Sequence, residues 1–134
     1  MGVAQPFTLF PVPQTDIVIY QESEDDVPLV DWLASLPEKV QVKCDARMKR
    51  LAELGHELRR PEADYLRDGI YELRIGYEGK NYRILYTFVG RQIVLLTHGI
   101  VKEDRVPPKE IDDAILRKTN WAADPNTHTY KETE

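Results

Sequence analysis

Between Ile70 and His98 the chain alternates apolar and polar positions in the way a pleated sheet requires. The runs Ile70 to Gly76, Asn81 to Val89 and Gln92 to His98 are rich in β-branched and aromatic residues, with Glu78-Gly79 and Gly90-Arg91 between them. Two-residue connections containing glycine suit tight hairpins, so Tyr77 is expected opposite Lys80 and Val89 opposite Gln92. One face then gathers Tyr71, Leu73, Ile75, Tyr82, Ile84, Tyr86, Phe88, Ile93 and Leu95 as core. Counting outward from the same turns sets Arg74 beside Arg83, and Arg83 beside His98, on the opposite face.

The flanking segments carry helical spacing. Leu29, Trp32, Leu33 and Leu36 fall at i, i+3, i+4 and i+7 after Pro28, which predicts a short helix with Trp32 in the core. Ser35-Leu36-Pro37-Glu38 has the pattern of a capping box and opens a second helix, for which Gly55 is the natural stop. Val40, Cys44, Met48 and Leu51 form its apolar stripe, and Lys39, Lys43, Arg47 and Arg50 line another side. That basic stripe reads either as a track for a phosphate backbone or as a solvated helix face. Asp16 to Gln21 reads as a first short strand, and His56 to Asp68 as a loop whose Arg59, Arg60 and Arg67 join Lys39, Lys43, Arg47 and Arg50 as candidate RNA-binding residues. Pro107-Pro108 introduces a last helix from Lys109 to Trp121, with Ile111, Ala114, Ile115 and Lys118 on one face, and Ala123 to Glu134 is expected to fray. The predicted order βααβββα makes an α+β domain whose helices cover one sheet face and leave the charged face partly open.

Like charges opposed across a sheet lie about 5 Å apart and destabilise it unless something shares them. A bound phosphate would serve, and so would Glu72, one diagonal step from Arg83. If the anion is a phosphodiester, the needs of RNA cleavage are specific. A base takes the proton of the attacking 2′-hydroxyl, an acid protonates the leaving 5′ oxygen, and positive charge offsets the crowded transition state. His98 titrates near neutrality, and two neighbouring arginines would lower its pKa and clamp the phosphate. Lys102, just past the strand, either reaches that phosphate or is an ordinary loop lysine. His98 is otherwise a structural histidine.

Composition narrows the classes. At 134 residues, 42% of them hydrophobic, the chain fits one domain, with no apolar run long enough for a membrane span. The first 14 residues lack the basic start of a secretory signal, so a cytoplasmic location is expected. The net charge of −5 is uneven: residues 1 to 36 carry −6, residues 37 to 105 carry +3, and the remainder −2. Single Cys44 sits on an apolar stripe and is read as an inert buried thiol. His56, His98 and His128 are too scattered for a metal site, and no glycine-rich phosphate loop is present.

The ordered segments DWLASLP, GIYELRI, NYRILY and IVLLTHGIVK, closed by a helix ending RKTNW, resemble the phage-related branch of the HigB/RelE toxin superfamily over Ile17 to Trp121. The resemblance implies a RelE-like, microbial-ribonuclease-like antiparallel sheet with two N-terminal helices and one C-terminal helix. It places an N-terminal extension at 1 to 14, a toxin domain at 15 to 121 and a flexible tail at 122 to 134. It further implies the toxin of a type II toxin–antitoxin system, a metal-independent endoribonuclease that cuts mRNA on the ribosome and needs no cofactor. A cognate antitoxin, often a helix-turn-helix protein, would silence it. By position Arg74, Arg83, His98 and Lys102 correspond to the catalytic set. The family pattern after the histidine carries paired lysines, whereas here Ile100 follows the glycine and Glu103 takes the place of the second lysine. The rival reading is a non-catalytic module that keeps the fold and the antitoxin surface without cutting RNA.

Overall fold

The computed structural model describes residues 15–102 and 104–132. The expected N-terminal extension and Glu103 lie outside the described residues. In chain order the elements are β1 (Asp16–Ile19), α1 (Pro28–Ala34), α2 (Glu38–Leu54), a 3-10 turn (Gly55–Glu57), β2 (Ala63–Arg67), β3 (Ile70–Tyr77), β4 (Lys80–Val89), β5 (Ile93–Val101), α3 (Pro108–Ala123) and α4 (Pro125–His128). The strands form one sheet in the order β1-β5-β4-β3-β2. β1 runs parallel to β5 and the other pairs are antiparallel, so the sheet is mixed, where an antiparallel one was expected.

Two elements exceed the predicted order βααβββα. The segment expected to be a loop contains β2, joined to β3 through Asp68 (φ 52°) and Gly69 (φ 83°), a pair of left-handed residues that makes a tight hairpin. The C-terminal segment, expected as a flexible tail, is laid against β1 in the structure. Thr129 bridges to Tyr20, the Tyr130 amide donates to the Ile19 carbonyl, and the His128 ring stacks on Tyr20. Helix α2 starts at Glu38 without the expected capping box, because the Ser35 hydroxyl donates instead to the Trp32 carbonyl.

Both sheet faces are covered. On one, Leu29, Val40, Cys44 and Leu51 from α1 and α2 pack on Leu73, Ile75, Tyr82, Ile84, Tyr86, Val94 and Leu96. On the other, Ile111 and Ala114 of α3 pack on Ile70 and Leu85. The expectation of a partly open charged face is therefore corrected: the apolar stripe of α3 needs a partner surface, and Ile70 and Leu85, which share that face with the charged row, provide it.

The β4–β5 hairpin also differs from expectation. Val89 pairs with Ile93, giving a three-residue turn with Gly90 at φ 64°. One further residue, Thr97, is bulged out of register between the pairs Tyr86–Leu96 and Leu85–His98. Between turn and bulge, Val94 and Leu96 face the α2 side, and Ile93 and Leu95 pack with Trp121 on the other, the reverse of the predicted assignment. After the bulge the parity is restored.

Candidate functional site

The β3–β4 turn has the expected form, with Glu78 at φ 50° and Gly79 at φ 79°, so Tyr77 pairs with Lys80 and Arg74 stands directly opposite Arg83. The second half of the predicted row is shifted. Arg83 pairs with Ile100, and His98 pairs with Leu85, two residues further along β4. The longer turn and the bulge each slip the register by one residue, and two slips return His98 to the face of Arg83 while moving it off the row.

A carboxylate holds the two arginines. Glu72, on the same face of β3, is buried; its Oε2 accepts from Arg74 Nε at 2.8 Å and its Oε1 lies 3.3 Å from Arg83. The second contact is an ion pair without an aligned hydrogen bond, and neither Glu72 Oε1 nor Arg83 Nε has a hydrogen-bond partner among the described residues. Arg74 also meets Asp64 at 3.1 Å, and Asp64 in turn pairs with Arg60 at 2.9 Å. Glu72, the carboxylate weighed from sequence, is in contact with both arginines.

His98 is buried, with its side chain 8% exposed. Nδ1 lies 3.0 Å from the Thr97 hydroxyl, and Nε2 lies 3.0 Å from Glu110 Oε1 in the first turn of α3. Burial pushes its pKa below the ordinary value, the charge of Arg117 pushes the same way, and the hydrogen bond to Glu110 opposes both. The direction matches the sequence expectation and the cause differs: desolvation and Arg117 lower it, not Arg74 and Arg83. Lys102 is exposed, and its amide donates to the Asn81 carbonyl, so it extends the β4–β5 ladder one residue beyond β5.

The wider basic set divides. Arg50 makes a double hydrogen bond to Glu62 at 2.8 and 2.6 Å, and Arg47 lies 3.6 Å from the same carboxylate while donating to the Arg74 carbonyl. Arg67 joins Asp68 to Asp112 of α3, at 2.8 and 2.9 Å. Lys39, Lys43 and Arg59 are exposed and form no ion pair with a described residue. Sequence reasoning missed Glu110, Asp64 and Glu62 as partners. Nothing local marks them, since each meets its cation only once the chain has folded.

Among the described residues no group of three or more His, Cys, Asp or Glu side chains is placed to hold a metal, and no helix is long and apolar enough to cross a membrane. Fold and site together define a small α+β protein with a mixed five-stranded sheet, carrying on one face paired arginines and a buried histidine, each matched by a carboxylate. The chain belongs to the family described as Phage derived protein Gp49-like (DUF891), whose model matches residues 31–119, from α1 to the last turns of α3. That family is related to the toxins of toxin–antitoxin systems. Comparison with curated proteins gave no match.

Proposed function

We propose that the chain is a HigB/RelE-like toxin of a type II toxin–antitoxin system, acting as a metal-independent endoribonuclease on mRNA in the ribosome. The observation that carries this reading is the direct opposition of Arg74 and Arg83, whose like charges converge on one spot of the sheet. In the proposed chemistry the two guanidinium groups hold and neutralise the scissile phosphate, displacing Glu72 as their anion. Exposed Lys102 adds charge from the end of β5. His98 transfers a proton, as base toward the 2′-hydroxyl or as acid toward the leaving oxygen. For that, the first turn of α3 has to release it from Glu110. A low pKa suits the base role, because the imidazole is then neutral at physiological pH.

The test is to map mRNA 5′ ends in a translating extract with the wild-type chain, Arg83→Ala and Arg83→Lys. Arg83→Lys keeps a positive charge beside Glu72 and loses the planar fork that suits a phosphate. Cleavage by wild type and its loss in both variants supports the reading; identical profiles from all three defeat it.

A second reading is favoured by a specific observation: Arg74, Arg83 and His98 each already meet a carboxylate. A surface whose charges are internally satisfied suits a non-catalytic module that binds an antitoxin-like partner, such as a helix-turn-helix protein. Induced expression separates the two. A toxin arrests growth unless its partner is present, whereas the module is harmless and still copurifies with that partner.

A further inference from the structure

The basic stripe of α2 has two halves with different fates. Toward its C-terminal end Arg47 and Arg50 share an ion pair with Glu62. Toward its N-terminal end Lys39 and Lys43, four residues apart on one helix face, form no ion pair with a described residue, and both are exposed. Lys39 lines two adjoining hollows of about 430 and 500 Å³ between α2 and the β3–β4 hairpin, which share Glu38, Lys39 and Tyr77, and Lys43 lines the second.

The hairpin brings a third lysine and a ring to the same place. Lys80 pairs directly with Tyr77, so the two side chains stand side by side on the face turned toward α2. Lys80 is exposed and likewise lacks a carboxylate partner among the described residues. Lys43 Nζ lies 5.9 Å from the centre of the Tyr77 ring, within reach of a cation–π contact. Half-exposed Tyr77 thus sits among three cations with no anion of their own, whereas most of the arginines around the sheet are ion-paired. Glu38 and Glu78 line the cleft without pairing any of the three.

We propose that this cleft anchors single-stranded RNA, with a base stacked on Tyr77 and backbone phosphates held by Lys39, Lys43 and Lys80. An aromatic platform ringed by mobile cations is the arrangement that binds unpaired nucleotides with little sequence preference. A duplex hides the faces of its bases, so it has no use for the ring. Tyr77 is three residues beyond Arg74 on β3 and faces the other side of the sheet, roughly 10 Å along the strand. The cleft is therefore a subsite separate from the Arg74–Arg83 pair, holding a flank of the strand as it passes the end of the hairpin. The inference rests on the proposed action on RNA, and it fails separately from it.

The experiment measures binding of a fluorescently labelled oligouridylate to the full chain by anisotropy over a range of salt concentrations. Tyr77→Ala is expected to weaken binding roughly tenfold and Tyr77→Phe to preserve it, since stacking needs the ring and not the hydroxyl. Lys39→Ala combined with Lys43→Ala, both at exposed positions that folding does not need, is expected to flatten the salt dependence by about 0.7 logarithmic units per lysine removed. Ring-dependent oligouridylate binding without mRNA cleavage would leave the cleft standing and overturn only the nuclease reading. Binding untouched by Tyr77→Ala and by the double lysine variant, or a polyglutamate peptide that binds tighter than the oligouridylate and displaces it, would overturn the cleft.

Discussion

Glu110 at the start of α3 closes on His98 of β5, with Oε1 3.0 Å from Nε2, and so joins that helix to a histidine on the sheet face that carries Arg74 and Arg83. This contact makes stability depend on pH in a defined direction. His98 has a folded pKa below its ordinary value of 6.5, so the unfolded chain binds more protons in the window below that pH. The stabilising contribution of neutral buried His98 is complete above 6.5 and is lost as pH falls through the folded value. Urea unfolding from pH 7.5 to 5 should show stability falling by at most about 1.4 kcal/mol per pH unit from this group. His98→Gln should flatten the dependence, and an unchanged slope in that variant would contradict the assignment. Glu110→Gln should lower the His98 pKa further, because the charge that opposes its depression is gone, and the imidazole proton shifts in NMR report this directly.

How far the sequence carried this site can be followed residue by residue. The opposition of Arg74 and Arg83 was legible, because Glu78-Gly79 fixes a two-residue turn and everything nearby follows by counting. His98 was placed on the correct face for an incomplete reason: the extra turn residue and bulged Thr97 were both invisible, and their effects on parity cancelled. Strand β2 was missed although its signal was present, since Asp68-Gly69 between ADYLR and IYELR is a strong hairpin pattern. The cover over the charged face was not legible, because an amphipathic helix says that it needs an apolar surface and not which of two faces supplies it. The docking of Thr129 and Tyr130 on β1 rests on contacts more than a hundred residues apart in sequence, which no local pattern encodes.

The Glu72 carboxylate couples the two arginines energetically. It is buried, and removing it leaves half-buried Arg83 without a described carboxylate partner. Glu72→Ala should cost about 3 kcal/mol in urea unfolding, the usual scale for stranding one member of a buried ion pair. Arg83→Ala should cost less, because Glu72 keeps its hydrogen bond from Arg74. The double variant should be less damaging than the sum by more than about 1 kcal/mol, the mark of residues that share one contact. Strict additivity would show that the 3.3 Å approach has no energetic weight.

Cys44 offers a probe of the α2 interface with the sheet. Burial pushes its thiol up to about 11, so almost none of it is thiolate at neutral pH. The native protein should react with a thiol reagent only as fast as α2 opens, and unfolding in urea should release one rapidly reacting group. Prompt labelling of the native chain would mean that the helix does not cover this position.

Gly99, one residue past His98, is fixed by Trp32 of α1. A Cβ built there would lie 2.2 Å from the indole, well inside any tolerated contact, while the ring packs edge-on against Tyr82 at 6.4 Å between centroids. Glycine is needed for closeness here rather than for backbone conformation, since Gly99 is absent from the residues with positive φ. Gly99→Ala should therefore destabilise the fold by about 1–3 kcal/mol through overpacking, read by urea unfolding. Trp32→Leu should cost a comparable amount through lost burial. Placing Leu at position 32 in the Gly99→Ala background should remove the clash, so the double variant should be more stable than additivity predicts. A simple sum would locate the role of the glycine elsewhere. The coupling matters for function because β5 carries His98 beside this contact: a helix on one face sets the height of the strand, and the strand sets where the imidazole meets Glu110 on the other.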